Sequence, residues 1–145
     1  MKWYFDTSVL VAATVNTHVH HSRAQSVLEA FHEGKHRGYL STHSLPDVYY
    51  VLTRTPFRPT VRPIHALKAI EDQIINHMAL VSLEPDEYIE IVRRAAIEGW
   101  IGGRIHDAVH LQCAAKMKCD RVYTFNVRDF RALAPGNLAD KITAP

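Results

Sequence analysis

The chain has 145 residues, a formal net charge of +2 at pH 7, and 47% hydrophobic and 22% charged residues with the two signs interspersed. That length has room for one ordinary core and excludes a second of comparable size, and the composition excludes a disordered tail. So small a charge also excludes a nucleic-acid partner held by the global field, leaving only a local basic patch for that task.

Lys2 to Phe5 is a short aromatic run suited to a strand that ends at Asp6. Because Asp6 arrives before any apolar segment of adequate length, no signal peptide is expected, and no run along the chain reads as a membrane span. Thr7 and Ser8 supply capping hydroxyls for a helical turn through Val9 to Val15. Ala24, Val27, Leu28 and Phe31 repeat at i, i+3, i+4 and i+7, which predicts an amphipathic helix stopping near Gly34. Tyr39 to Ser41 reads as a second strand. A helix then starts with Ser44 as cap, Pro46 early and Asp47 three residues after the serine, and it runs to about Arg54, where Thr55, Pro56 and Phe57 break it.

A further helix is expected from about Pro63 to His77, followed by a continuous apolar run, Ala79 to Leu83, that reads as a buried parallel strand. Asp86 to Glu98 and Arg104 to Met117 are the next helices, the second with Ile105, Ala108, Leu111 and Ala115 on one face. Arg121 to Phe125 is a strand, Asn126 to Asp129 a turn, Phe130 to Ala134 a short helix and Lys141 to Thr143 a last strand. Cys113 and Cys119 lack CxxC spacing and read as reduced thiols in a cytoplasmic protein. The run His18, Val19, His20, His21 has no nearby Cys or carboxylate to complete a metal-ligand set. Strands alternating with helices predict an α/β/α sandwich, a single domain over residues 1–145 around a central, mainly parallel sheet of four to five strands.

In such a sheet the carboxyl ends of the strands and the amino ends of the helices that return to them share the ligand-binding edge. Four acids map there: Asp6 at the end of the first strand, Asp47 and Asp107 in first turns of helices, and Asp129 after the Arg121 strand. Each has a structural alternative. Asp47 suits a capping box with Ser44, Asp107 offsets a helix dipole, and Asp129 suits an N-cap of the helix at Phe130. Asp6 is harder to explain so, because a charge set directly after a buried aromatic strand costs desolvation unless something binds it. Together the four would repel one another, raising their pKa values or requiring a cation. Oxygen-only ligands select a hard cation, and Mg²⁺, which takes one or two carboxylates and keeps water and a phosphate in its remaining positions, suits phosphodiester hydrolysis.

The segments YFDTSVLVA (Tyr4 to Ala12), SLPDVYYVLTR (Ser44 to Arg54), IHDAVHLQCA (Ile105 to Ala114) and VYTFNVRDF (Val122 to Phe130) resemble, in order, the four signature segments of PIN domains. The resemblance is closest to the VapC-type toxins of toxin-antitoxin modules. It implies a Mg²⁺- or Mn²⁺-dependent endoribonuclease in which Asp6, Asp47 and Asp107 hold the principal ion and Thr124 hydrogen-bonds the acids or their water. It also implies a homodimer restrained by a small antitoxin protein. Two departures stand out: Asp47 replaces the usual glutamate, and Asn126 stands where many members have aspartate, leaving Asp129 as the nearest charge for the fourth position.

For the RNA, Arg54, Arg58 and Arg62 flank the break at Thr55 to Pro63 and Arg104 precedes Asp107 by three residues, so all four are candidate phosphate contacts. His106 and His110 flank Asp107, and Tyr49, Tyr50 and Phe57 are candidates for a stacking wall. Rival readings are a phosphatase or response-regulator-like receiver, for which neither a phosphoacceptor at the end of a middle strand nor a late lysine is evident in the sequence, a catalytically weak or inactive interaction module, and a PIN-domain nuclease outside toxin-antitoxin systems.

Overall fold

A computed structural model describes residues 1–145. Its strands are β1 (Lys2–Phe5), β2 (Arg37–Ser41), β3 (Met78–Val81), β4 (Arg121–Tyr123) and β5 (Ile142–Thr143). Its helices are α1 (Thr7–Thr14), α2 (His21–Glu33), α3 (Ser44–Arg54), α4 (Pro63–Ile70), α5 (Pro85–Glu98), α6 (Arg104–Lys116) and α7 (Val127–Leu133). A π-helical turn, Glu71–Ile75, extends α4, and a 3₁₀ segment, Gly136–Lys141, precedes β5. The strands lie in the order β3-β2-β1-β4-β5, every neighbouring pair parallel. The first strand is therefore central, and its carboxyl end sits in the middle of the ligand-binding edge.

Strand side chains alternate between faces, and the sheet separates two cores accordingly. Trp3 and Phe5 join one cluster with residues of α1 to α4, while Tyr4 joins the other with residues of α5 to α7. Phe5 is fully buried, 5.4 Å from the Phe31 ring and 5.6 Å from that of Tyr123. Truncating such a side chain to alanine costs about 3–5 kcal/mol. On β2, Gly38 lets α2 approach: a Cβ there would lie 2.6 Å from the Phe31 ring. These two covered faces make the expected α/β/α sandwich.

Several local expectations are corrected. Thr7, Ser8 and Ser44 lie inside their helices rather than capping them, and neither α1 nor α3 has a side-chain cap. The Ser44–Asp47 capping box is therefore not made. The capping box that does form joins Glu84 and Glu87 at the start of α5, which ends at Gly99 in the left-handed conformation that glycine adopts freely. The α7 helix begins at Val127, so Asn126 occupies its N-cap position and Asp129 its first turn. The apolar run at Ala79 is parallel as expected but forms an edge strand with Ala79 and Leu80 exposed. Continuous hydrophobicity cannot distinguish an edge strand with an apolar outer face from a central one.

Cys113 and Cys119 are buried and in no disulfide, the Cys113 thiol donates to the Val81 carbonyl at 3.9 Å, and burial pushes Cys119 up to about 12. No helix is long and apolar enough to cross a membrane.

Candidate active site

Asp6 occupies the N-cap position of α1 directly after the central strand, yet its carboxylate caps nothing. Its backbone completes the strand-to-helix junction, the N–H donating to the Tyr123 carbonyl at 3.0 Å and the C=O accepting from Val9 and Leu10. The side chain is thus left to other partners. Thr124 Oγ1 donates to Asp6 Oδ2 at 2.9 Å and Ser8 Oγ donates to the same oxygen at 2.8 Å. Thr124 is itself aimed, because its hydroxyl oxygen accepts the Asn126 N–H at 3.0 Å and its own N–H donates to Thr143 at 3.1 Å. Asp6 Oδ1 faces His110 Nε2 at 3.4 Å.

Asp107 stands in the first turn of α6, where Asn126 Nδ2 donates to its Oδ2 at 3.2 Å. Burial, then the charges of Asp6 and Asp129, push its carboxyl up to about 6, against smaller opposing pulls from His106 and Arg104. Three of the four acids predicted from sequence therefore share one electrostatic field at the middle of the sheet edge. The fourth stands apart. Asp47 lies one turn into α3, its Oδ2 only 3.6 Å from His43 Nε2. It lines an open cleft of about 220 Å³ with Ser41, His106 and His110, whereas Asp6 opens onto a separate groove walled by His18, His20 and Phe125. His110, which feels the charge of both Asp6 and Asp47, joins the two halves.

The candidate phosphate contacts disperse. Arg104 opens α6 one turn from Asp107, but Arg54 ends α3 about 10 Å along the helix from Asp47, its guanidinium over the Tyr50 ring. Arg58 and Arg62 lie beyond it in the link to α4, both exposed. The histidine run is spent locally: the His20 N–H donates to His18 Nδ1, His21 Nδ1 donates to the Ala12 carbonyl, and His20 stacks on Phe125.

Sequence reasoning missed how Ser8, Tyr4 and His110 engage Asp6. The signal was present in two spacings: Tyr4 and Asp6 are two apart along the extended backbone that leaves β1, and Asp107 and His110 three apart on a helix, so each pair shares a face.

No three His, Cys, Asp or Glu side chains stand close enough together to enclose an ion. A closed structural metal site does not fit these residues. An open Mg²⁺ site does, since that ion usually engages only one or two carboxylates and completes its shell with water and phosphate. The charge crowding that lifts Asp107 is what such a cation would relieve.

A PIN domain family model matches residues 3–135. No curated protein matches the chain. Among solved structures, VapBC2 from Rickettsia felis, bound to a DNA fragment from their promoter, is similar with a TM-score of 0.71 and 16% identity, covering 100% of this chain and 99% of the other. Mycobacterium tuberculosis VapC20, described as a Sarcin-Ricin loop cleaving toxin, gives a TM-score of 0.70 and 18% identity, covering 90% of this chain and 93% of the other. At such identities the likeness concerns the fold.

Proposed function

Because this chain belongs to the PIN-domain family, matched across residues 3–135, we propose that it is a Mg²⁺-dependent endoribonuclease, with Mn²⁺ able to substitute, and the toxin of a type II toxin-antitoxin module. The observation that carries this reading is the convergence of Asp6, Asp107 and Asp129 at one sheet edge, after β1 and in the first turns of α6 and α7, where Asp6 and Asp129 join burial in pushing the Asp107 carboxyl up. Negative charge concentrated there, at the carboxyl end of a parallel sheet, suits a divalent cation.

Asp6 and Asp107 are the residues that would hold the ion, with Asp129 and Asp47 bordering it. When bound, Mg²⁺ supplies an activated water and neutralises charge developing on the phosphate. The chain's own groups prepare that chemistry. Thr124 and Ser8 fix Asp6 Oδ2, and Asn126 steadies Asp107. Arg104, one turn from Asp107, is placed to meet an RNA phosphate, while Arg54, Arg58 and Arg62 would contact the strand further along.

The partners follow from the same reading: RNA as substrate, a cognate antitoxin as inhibitor, a second copy as dimer partner, and the cytoplasm as the compartment where RNA is met. The similarity to VapBC2 supports the antitoxin partner, and that to the Sarcin-Ricin loop cleaving VapC20 supports an RNA substrate.

The test is cleavage of defined RNAs, a sarcin-ricin-loop hairpin among them, by purified protein with and without Mg²⁺. Cleavage should stop on adding EDTA, and undiminished cleavage in EDTA by a preparation free of other nucleases refutes the metal-dependent reading. A second reading, an inert interaction module, is favoured by Asn126 in place of an acid and by the open ligand set. It predicts no thermal shift with Mg²⁺ or Mn²⁺.

A further inference from the structure

Tyr4 and His110 are both buried, on the sheet face that α6 covers, and neither is needed merely to fill space. A phenol and an imidazole in a core cost free energy unless their polar atoms are paired. Here they are. The Ser41 N–H donates to the Tyr4 oxygen at 3.1 Å, and that oxygen lies 2.7 Å from His110 Nδ1. His110 Nε2 then faces Asp6 Oδ1 at 3.4 Å, long for a hydrogen bond but close for a charge.

The two ends of this chain of contacts favour the same proton placement. A backbone N–H only donates, so the Tyr4 oxygen accepts from Ser41 and its own hydrogen is free for His110 Nδ1. A carboxylate only accepts, so the nitrogen facing Asp6 must carry the proton. Both conditions select the Nε2–H tautomer. The ring is held between Tyr4, edge-on at 5.9 Å, and Phe130 at 6.2 Å.

We propose that His110, locked by Tyr4 into the Nε2–H tautomer, is a positioning residue that fixes the Asp6 carboxylate. Thr124 and Ser8 hold one oxygen of Asp6, and His110 holds the other against rotation. The consequence for an ion rests on the metal-dependent reading above. Groups that orient a metal ligand from outside typically change metal affinity about 10–100-fold.

The experiment has two readouts on the full chain. Imidazole ¹⁵N spectra of metal-free protein should show His110 as the Nε2–H tautomer, and Tyr4→Phe, which keeps the ring and removes the hydroxyl, should abolish that single state. Direct titration with Mn²⁺ alone should give about 10-fold weaker binding for Tyr4→Phe, at least as large a loss for His110→Leu, and partial recovery for His110→Gln, whose amide can still donate. A folded Tyr4→Phe protein with wild-type Mn²⁺ affinity, or an Nδ1–H tautomer in the wild type, overturns the proposal. If the wild type binds no Mn²⁺ while His110 shows the Nε2–H state and Tyr4→Phe loses it, the metal-dependent reading fails and the clamp stands.

Discussion

Asp6 and Asp47 each sit where a strand gives way to a helix, yet one side chain is 10% exposed and the other 44%. Asp6 is buried, with both oxygens engaged, by Thr124 and Ser8 on one and His110 on the other. Asp47 has one loose contact to an exposed histidine. The difference has a topological origin. The central strand brings β4 and α6 against its end, whereas α3 starts after β2 with Ser44 buried but Pro46 exposed and Asp47 facing partly into solvent. Preorganisation is therefore concentrated on the first acid, and the fourth keeps the freedom to adjust.

If that contrast governs function, Asp6→Asn should abolish RNA cleavage while the protein still folds, as read by single-turnover cleavage and a thermal melt. Loss of activity together with unfolding would make Asp6 a structural residue instead. Asp47→Ala should cost most of the activity and raise the Mg²⁺ requirement with little change in melting temperature, because no cap is lost. Asp47→Glu, restoring the missing methylene, should keep or raise Mg²⁺ affinity. A large fall in melting temperature with unchanged cleavage would return Asp47 to a structural role.

The contrast was only half legible in the sequence. The strands, their parallel direction and the meeting of Asp6, Asp107 and Asp129 at one edge follow from alternation and spacing, since period-2 and period-3.6 patterns report directly on faces. Exposure does not. Ser44 followed by Asp47 has the pattern of a capping box, but the Ser44 side chain turns inward to accept from Thr7 Oγ1 at 3.1 Å. Tertiary contact thus overrides a local signal. The edge position of β3 and the dispersal of Arg54, Arg58 and Arg62 away from the acids were hidden for the same reason: both depend on which elements are neighbours.

Smaller effects sharpen the picture of the clamped end. Thr124→Val keeps the shape but leaves Asp6 and the Asn126 N–H each short of a partner, and should weaken Mn²⁺ binding about 10-fold and lower stability by about 1–3 kcal/mol. Unchanged Mn²⁺ affinity in a folded variant would show that Ser8 and His110 hold Asp6 without it. The smallest effect is electrostatic. With its carboxyl raised to about 6 by burial and neighbouring acids, folded Asp107 binds a proton that the unfolded chain has already released. Metal-free protein should therefore lose stability as pH rises from about 4 to about 6, the loss persisting above that window. Melting curves across this range should slope downward more in the wild type than in Asp107→Asn. Equal slopes would mean that the crowding is not felt.

The pairing of the first strand with β4 has a consequence in time. Thr124 follows Asp6 by 118 residues. At about 5–20 residues per second, a ribosome needs roughly 6–24 s to deliver the second after the first. Until then Asp6 has neither Thr124 nor the β4 backbone to hold it. On the proposed reading, the site of such a nuclease stays incomplete until β4 has been made and is finished only as the last strands dock.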